Sequence, residues 1–168
     1  MSTSTDADAR DRADMEKLQA GHDAALNDLM ERHATPVFHF LCRMVGNEDD
    51  ANDLAQETFV RVFKSVKSFR ANERFSTWLF TIAANLARNH FRWRSRHPNI
   101  SLDVEDAETE QTLGSTLPAN TASPKEAALA GERAAAVRTA VKNLPEDLRE
   151  AIVLCEWEER SVAEAAAI

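Results

Sequence analysis

Apolar residues recur at helical spacing through most of the chain, and the breaks between the apolar stripes divide it into helices. Over 26–44 the apolar positions follow a helical pattern. Thr35-Pro36 is predicted to split this stretch into two helices, because threonine can cap a helix and proline suits its first turn. Gly46 is expected to end the second helix, and Asn47 to cap a third one over about 48–68.

The third and fourth predicted helices each have one apolar side. In the third helix the stripe expected to be buried is Leu54, Ala55, Phe59, Val62, Phe63 and Val66. A short link over 69–75 leads to a fourth helix, which is predicted to start near Ser76 or Thr77 and to stop at His97-Pro98. The apolar positions of that helix are Trp78, Leu79, Ile82, Ala83 and Leu86.

The two ends of this helical region have a different character. Residues 1–20 are expected to be a disordered extension, because they are polar and offer little to bury. Residues 98–123 are acidic and include glycine and proline, which predicts a flexible linker without a core.

Helical patterns resume after this linker. One helix is predicted over 124–143 and another after Pro145, while Ser161 and Glu164 predict a capping box at the start of a last helix. The predicted fold class is therefore all-α, with two small helical domains, 21–97 and 124–168, joined by the acidic linker.

Composition excludes several classes of protein. The four glycines are too dispersed for a phosphate-binding loop, and no HExxH or GxSxG motif occurs. The histidines are scattered, so we predict no catalytic residue, metal site or cofactor, and no enzyme activity on a small-molecule substrate. Cys42 and Cys155 lack CxxC spacing, and no run suggests a signal peptide or membrane span, so a cytoplasmic location is expected.

The net charge of −8 conceals a basic middle between two acidic flanks. Residues 51–100 carry nine basic and three acidic side chains, whereas the flanking segments are both strongly acidic. Such local charge predicts a binding site for a polyanion that the overall charge does not reveal.

The most informative cluster lies near the end of the fourth helix. Arg88, Arg92 and Arg96 are spaced four residues apart and so share one helical face, and Arg94, Phe91 and Trp93 are interleaved with them. Cations in a row suit phosphates, and aromatic rings suit stacking on bases, so nucleic-acid binding is favoured. The alternative is a helix end whose cations complement the helix dipole.

Two further sets of polar residues have an ordinary alternative. Asn85 and Asn89 lie one turn apart beside the arginine row and could hydrogen-bond an unstacked base, although surface asparagines are the simpler explanation. A stripe on the third helix, formed by Asp53, Gln56, Glu57 and Arg61, is by itself typical of a solvated helix face.

Three segments together resemble a known family. The sequence DLAQETFVRVF at 53–63, followed by FSTWLFTIAAN at 75–85, resembles the extracytoplasmic-function sigma factors of bacterial RNA polymerase, and the second segment matches their F-x-T-W-L-x-x-I-A-x-N pattern. The sequence NLPEDLREAIVL at 143–154 resembles the start of the second conserved domain of that family. The resemblance identifies 21–97 with sigma region 2 and 124–168 with sigma region 4.

The resemblance implies partners for the polar residues already singled out. Asp53, Gln56, Glu57 and Arg61 are expected to bind core RNA polymerase at the clamp helices of its β′ subunit. The residues expected to bind the melted minus-ten strand of promoter DNA are Phe69, Trp78, Ile82, Asn85, Arg88, Asn89, Arg92 and Arg96. Among them, Phe69, Ile82, Asn85 and Asn89 are expected to line a pocket for one flipped base, with Trp78 supporting it.

The resemblance also implies regulation. Region 4 is expected to contact the β flap of the polymerase, and the family is typically held inactive by an anti-sigma factor, often membrane-anchored. The printed residues stop at Ile168, within the helix that precedes the family's recognition helix. Two alternatives to a promoter-directing sigma factor are a helix-turn-helix regulator that binds duplex DNA, and a truncated sigma-like interaction protein without promoter activity.

Overall fold

A computed structural model of the chain describes the backbone of residues 3–97 and 124–168, with side chains at 6–97 and 131–168. Within these ranges the chain is helical and has no β-strand. The first four helices are α1 Thr3–Gln19, α2 Ala25–Val45, α3 Glu48–Lys64 and α4 Phe75–Arg96. The last three are α5 Pro124–Lys142, α6 Glu146–Ile152 and α7 Val162–Ala167. The predicted all-α fold class is confirmed, while the predicted linker at 98–123 falls outside the described residues.

Helices α1 to α4 pack around a common apolar core. Each of the pairs α1–α2, α2–α3, α2–α4 and α3–α4 is in contact. At the centre, the rings of Phe40 on α2 and Phe80 on α4 meet edge to face, with centroids 5.3 Å apart. The other large side chains that are fully buried here include Met15, Leu29, Leu41, Met44, Leu79 and Val62. This four-helix core fixes the relative positions of the α3 and α4 surfaces.

Helix α2 runs without a break through Pro36, so the predicted split into two helices at Thr35-Pro36 is wrong. A proline inside a helix removes one backbone hydrogen bond and costs about 3 kcal/mol. Leu29 before the proline and Val37 and Phe40 after it are all fully buried. Burial of apolar side chains on both sides of Pro36 against the same core offsets that cost. Gly46, with φ of 72°, ends the helix as predicted.

The N-terminal residues are not a disordered extension, since α1 occupies Thr3–Gln19 and packs on α2 and α4. Met15 and Leu18 are buried in the shared core. Asp11 and Asp14 are also buried, and each accepts a hydrogen bond from Arg32 on α2, at 2.9 and 2.6 Å. Because these ionic partners lie elsewhere in the chain, the polar composition of the segment does not prevent it from docking.

Helix α3 begins as predicted, with the Asn47 side chain accepting a hydrogen bond of 2.9 Å from the backbone N–H of Asp50. It ends at Lys64, and a short 3₁₀ turn, Val66–Ser68, follows it. The predicted burial of Phe63 is wrong, because its side chain is 43% exposed. Thr58, which was not among the residues predicted to be buried, is fully buried. Its hydroxyl donates to the backbone oxygen of Leu54 at 2.7 Å.

The C-terminal helices lie against α2 and α4. After α6 the chain continues through a π-helical turn, Val153–Trp157, which brings Val153 and Leu154 into the core as fully buried side chains. Ser161 and Glu164 form the predicted capping box at the start of α7. The α6–α7 segment therefore packs against helices α2 and α4 of the core.

Candidate nucleic-acid and polymerase interface

The α3 surface presents the predicted acidic stripe to solvent. Asp53 and Gln56 are exposed, and Glu57 is paired with Arg61 through a 2.9 Å contact from the arginine Nε. The hydrogen bond and charge of Arg61 lower the pKa of Glu57, so that carboxylate stays ionised at neutral pH. Val60 lies among these polar residues with 42% of its surface exposed. The stripe therefore offers charge around one accessible apolar side chain.

An apolar groove adjoins this stripe between α2 and α3. It has a volume of about 260 Å³. Its walls are formed by Met30, Ala34, Thr35, Phe38, Asn52, Ala55, Gln56 and Phe59. Gln56 belongs to both the groove and the acidic stripe, so the two features form a continuous surface.

The link between α3 and α4 is built on a cluster of aromatic rings. Phe69 lies 5.3 Å from Trp78 and 6.2 Å from Phe75, measured between ring centroids. Phe69 is only 6% exposed, while Trp78 is half-buried. Phe69 therefore acts in this structure as part of the support of the link, together with Trp78.

An open cavity of about 260 Å³ lies between the end of α3 and the middle of α4. Its walls are formed by Arg61, Lys64, Ser65, Ile82 and Asn85. Of the four residues expected to line a base pocket, Ile82 and Asn85 lie on this wall, whereas Phe69 and Asn89 do not. Arg61, which was expected to face polymerase, also reaches this cavity.

Sequence reasoning missed Lys64 and Ser65 as residues of this cavity. Both lie where α3 ends, and the predicted helix continued to about residue 68. Lys64 is one of two cations on the wall, and the Ser65 hydroxyl donates to the backbone oxygen of Arg61 in a 2.5 Å hydrogen bond.

The arginine row along α4 consists of one residue that is paired within the protein and two that are accessible to solvent. Arg88 is half-buried, and its Nη1 donates to the side-chain oxygen of Asn85 at 2.9 Å. Arg92, Arg96 and Asn89 are exposed, and Arg92 and Arg96 form no ion pair with another part of the chain that the structure describes. Two of the three predicted phosphate-binding arginines are thus available to a ligand.

Arg88 forms an ion pair with Glu150, a residue of α6 that the sequence analysis did not select. The guanidinium donates from Nε to one carboxylate oxygen at 2.9 Å and from Nη2 to the other. Glu150 is 7% exposed, so the pair is shielded from water on the carboxylate side. No local signal could reveal this partner, because it lies 62 residues further along the chain.

Further contacts hold the α6–α7 segment in place. Arg149 donates to the backbone oxygen of Met44 at 2.6 Å, and its guanidinium lies 5.5 Å from the centre of the Phe91 ring. Arg160 donates to the Ser76 hydroxyl at 2.8 Å, next to the start of α4. The segment is therefore attached to the helical core at several separate points.

The described residues contain no cluster of three or more His, Cys, Asp or Glu side chains that could hold a metal ion. None of the described helices is long and apolar enough to cross a membrane.

Burial raises the pKa of the Cys42 thiol to about 11, so this thiol is protonated at neutral pH.

Comparison with known proteins identifies relatives of this chain. The family model described as Sigma-70 region 2 matches residues 29–97. The RNA polymerase sigma-H factor of Pseudomonas aeruginosa is 33% identical over 95% of this chain and 82% of its own length. The ECF RNA polymerase sigma-E factor of Haemophilus influenzae is 36% identical over 94% of this chain and 82% of its own length. The ECF RNA polymerase sigma factor SigW of Bacillus subtilis is 33% identical over 89% of this chain and 80% of its own length.

Two solved structures are similar to this chain. An engineered region 2 of sigmaE, solved in complex with GTAAAA, is 33% identical with a TM-score of 0.50, and the match covers 54% of this chain and 94% of that one. CnrH, solved in complex with the cytosolic domain of CnrY, has a TM-score of 0.64 over 94% of this chain and 81% of its own. At 23% identity, the likeness to CnrH concerns the fold alone.

These matches define a protein of the sigma-70 class. The chain belongs to the extracytoplasmic-function sigma factors of RNA polymerase. Its function is that of a sigma factor in transcription initiation, and its relatives are sigma factors rather than enzymes.

Proposed function

We propose that the α3 stripe of Asp53, Gln56, Glu57 and Arg61 binds core RNA polymerase at the β′ clamp helices. On the same domain, the link, the cavity and the arginine row of α4 bind the melted minus-ten strand. Domain 21–97 acts as region 2, and 124–168 acts as the part of region 4 that approaches the β flap. The protein works in the cytoplasm, where the polymerase is.

The placement of the acidic side chains Asp53 and Glu57 on α3 and of exposed cations on α4, with Arg61 shared between the stripe and the cavity, is the observation that carries the proposal. The acidic stripe faces solvent from α3, and the exposed cations Arg92 and Arg96 lie on α4. A ligand of positive charge and a ligand of negative charge can thus be bound at once by one domain. That is what a subunit needs if it has to join polymerase to a DNA strand.

The cavity supports capture of a base on the DNA side. Its volume of about 260 Å³ suits one nucleobase, and Asn85 supplies a donor and an acceptor at its wall. Arg61 and Lys64 carry positive charge at the same wall, which favours the phosphate of an extruded nucleotide. Extruding a base costs a few kcal/mol, which these contacts offset.

Regulation by an anti-sigma factor, of the kind that is often membrane-anchored, is part of the proposal. The apolar groove between α2 and α3 adjoins the acidic stripe. A regulator that covers both excludes polymerase by direct competition. No cofactor takes part in this function.

The experiment that tests the proposal is a titration of core RNA polymerase with the fluorescently labelled 168-residue chain, read by anisotropy. Saturable binding that is weakened by Glu57→Lys supports the assigned α3 surface. If a chain shown to be helical by circular dichroism does not bind polymerase, the proposal is wrong. Tight binding to duplex DNA without polymerase would then favour a helix-turn-helix regulator.

A further inference from the structure

Helix α1 contacts both ends of the link between α3 and α4. At one end, the side-chain amide of Gln19 donates to the backbone oxygens of Val66 and Phe69, at 3.0 and 3.1 Å. At the other end, Asp8 is 3.1 Å from the Nε atom of Arg74, the residue that precedes α4. Asp8 in the second turn of α1 and Gln19 at its C-terminal end therefore contact the two ends of one short segment.

The link needs such support because it has little regular structure of its own. Its only helical part is the 3₁₀ turn Val66–Ser68, and turns this short are weak by themselves. The backbone bond that closes it, from the Phe69 N–H to the Val66 oxygen, is long at 3.3 Å. The Gln19 amide bonds to the same Val66 oxygen and to Phe69, so it fixes the turn at both of its ends.

Helix α1 is itself firmly attached, so it can act as a rigid support. Met15 and Leu18 are buried in the core, and Asp11 contacts both Arg32 and His33 of α2, each within 2.9 Å. The His33 ring meets Phe75 edge to face at 5.1 Å, and Phe75 belongs to the aromatic cluster under the link. Support for the link therefore passes through α1 and α2 together.

We propose that α1 holds the link in the shape that captures an unstacked DNA base, and that Gln19 is a positioning residue for this capture. The inference rests on the proposed binding of the minus-ten strand. Gln19 acts through the backbone of Val66 and Phe69, in the turn that directly follows Ser65 of the cavity wall, and does not contact DNA. Loss of its donor leaves the α3–α4 scaffold intact but lets the 3₁₀ turn and the position of Phe69 relax.

The test uses the full chain and the variant Gln19→Met, which keeps the length of the side chain, adds no charge and removes the donor. The first probe is the hexanucleotide GTAAAA, accompanied by the tightest binder selected from a randomised single-stranded hexanucleotide pool. Each base of the probe is replaced in turn by an abasic site, and affinities are measured by anisotropy. The position at which the native chain loses the most affinity identifies the captured base.

An abasic site at the captured position lowers the affinity of the native chain by a certain factor. We expect that factor to be at least threefold smaller in Gln19→Met. The smaller decreases in affinity caused by abasic sites at the other positions should be unchanged. A protein that was merely less stable would lose affinity at every position alike. Glu16→Gln, an exposed change one turn away on α1, is the matched control and is expected to behave as the native chain. Thermal unfolding by circular dichroism verifies that α1 remains docked in both variants.

An unchanged abasic profile in Gln19→Met would overturn the role of α1 while leaving base capture in place. A native chain that binds core polymerase but shows no position-dependent loss would overturn base capture, and the role of α1 with it. A native chain that binds neither polymerase nor any hexanucleotide would instead refute the proposed function. The three outcomes are thus distinguishable.

Discussion

The guanidinium group of Arg88 on α4 forms a bidentate ion pair with the carboxylate of Glu150 on α6. The Glu150 side chain is almost completely buried. Arg88 begins the arginine row that continues with the exposed Arg92 and Arg96. A carboxylate with two oxygens presents to arginine much the same geometry as a phosphate. While the pair is intact, Glu150 therefore occupies the position that a phosphate would take in the proposed binding of the promoter strand by Arg88.

Glu150→Gln is expected to increase the affinity of the chain for single-stranded promoter DNA by roughly three- to tenfold, which corresponds to about 0.7–1.4 kcal/mol, the net value of one ordinary hydrogen bond. The amide keeps the size of the side chain but no longer neutralises Arg88. Because one more phosphate is contacted, the logarithm of affinity should fall more steeply with the logarithm of salt concentration, by about 0.7. Anisotropy titrations over a range of salt concentrations measure both quantities.

Glu146→Gln is the matched control, because it removes the same charge from an exposed position in the first turn of α6. Its small effect on affinity reports the loss of general negative charge. Adding Arg88→Ala to Glu150→Gln is expected to remove the gain. If Glu150→Gln and Glu146→Gln strengthen binding equally, Arg88 is not the residue that is released.

Glu57→Lys is expected to weaken binding to core polymerase by about tenfold, since it places a cation where the proposed partner surface expects an anion. The fold should not change, because Glu57 is paired with Arg61 only at the surface, where ion pairs contribute little to stability. Anisotropy with labelled protein measures the binding, and thermal unfolding measures the stability.

Glu16→Lys on α1 makes the same reversal of charge at an exposed position away from α3. It is expected to bind polymerase as the native chain does. Equal weakening by both variants would mean that overall charge, and not the α3 stripe, decides the affinity.

The features that sequence predicted well depend on neighbours in the chain. The Asn47 cap of α3 and the Ser161–Glu164 box of α7 each involve residues three positions apart. The apolar stripe of α4 was predicted for a similar reason, since helical spacing alone places Leu79, Ala83 and Leu86 on one buried side. Local chemistry was sufficient in these cases.

The features that sequence did not predict depend on distant partners. Helix α1 has few apolar residues, and its buried Asp11 and Asp14 are satisfied by Arg32, which lies on another helix. Pro36 continues α2 because the residues around it are buried against other helices. Glu150 is recognisable as a partner of Arg88 only after α6 is placed on α4. Such pairings are products of the tertiary fold.

Asn85→Ala is expected to reduce formation of the open promoter complex by about tenfold while leaving polymerase binding nearly unchanged. Asn85 is exposed at the wall of the cavity, so its loss removes hydrogen bonds to a captured base without creating a hole in the core. Permanganate reactivity of thymines in the minus-ten region measures strand opening. Asn27→Ala, an exposed change on α2, serves as the control. Parallel loss of opening and of polymerase binding would indicate damage to the fold.

The docking of α1 is expected to weaken in acid because of Asp11. Burial alone raises the pKa of this carboxyl, but the hydrogen bonds and charges of His33 and Arg32 outweigh burial and bring the pKa below its ordinary value of 3.8. A group whose pKa is lower in the folded state stabilises the fold when it is ionised. This contribution is complete well above pH 3.8 and is lost as the pH falls through the folded-state pKa.

Asp11→Asn removes this titration, so its unfolding free energy should lie below that of the native chain by about 2 kcal/mol at pH 7, the scale of hydrogen bonds to charged groups. The difference should stay constant down to about pH 5 and shrink below that, because the native carboxylate becomes protonated while the amide does not change. Urea unfolding followed by circular dichroism at several pH values measures the difference. Asp6→Asn, which alters an exposed pair with Arg10 on the same helix, should show a far smaller effect. A difference between native and Asp11→Asn that is independent of pH would show that the carboxylate does not anchor α1 through its charge.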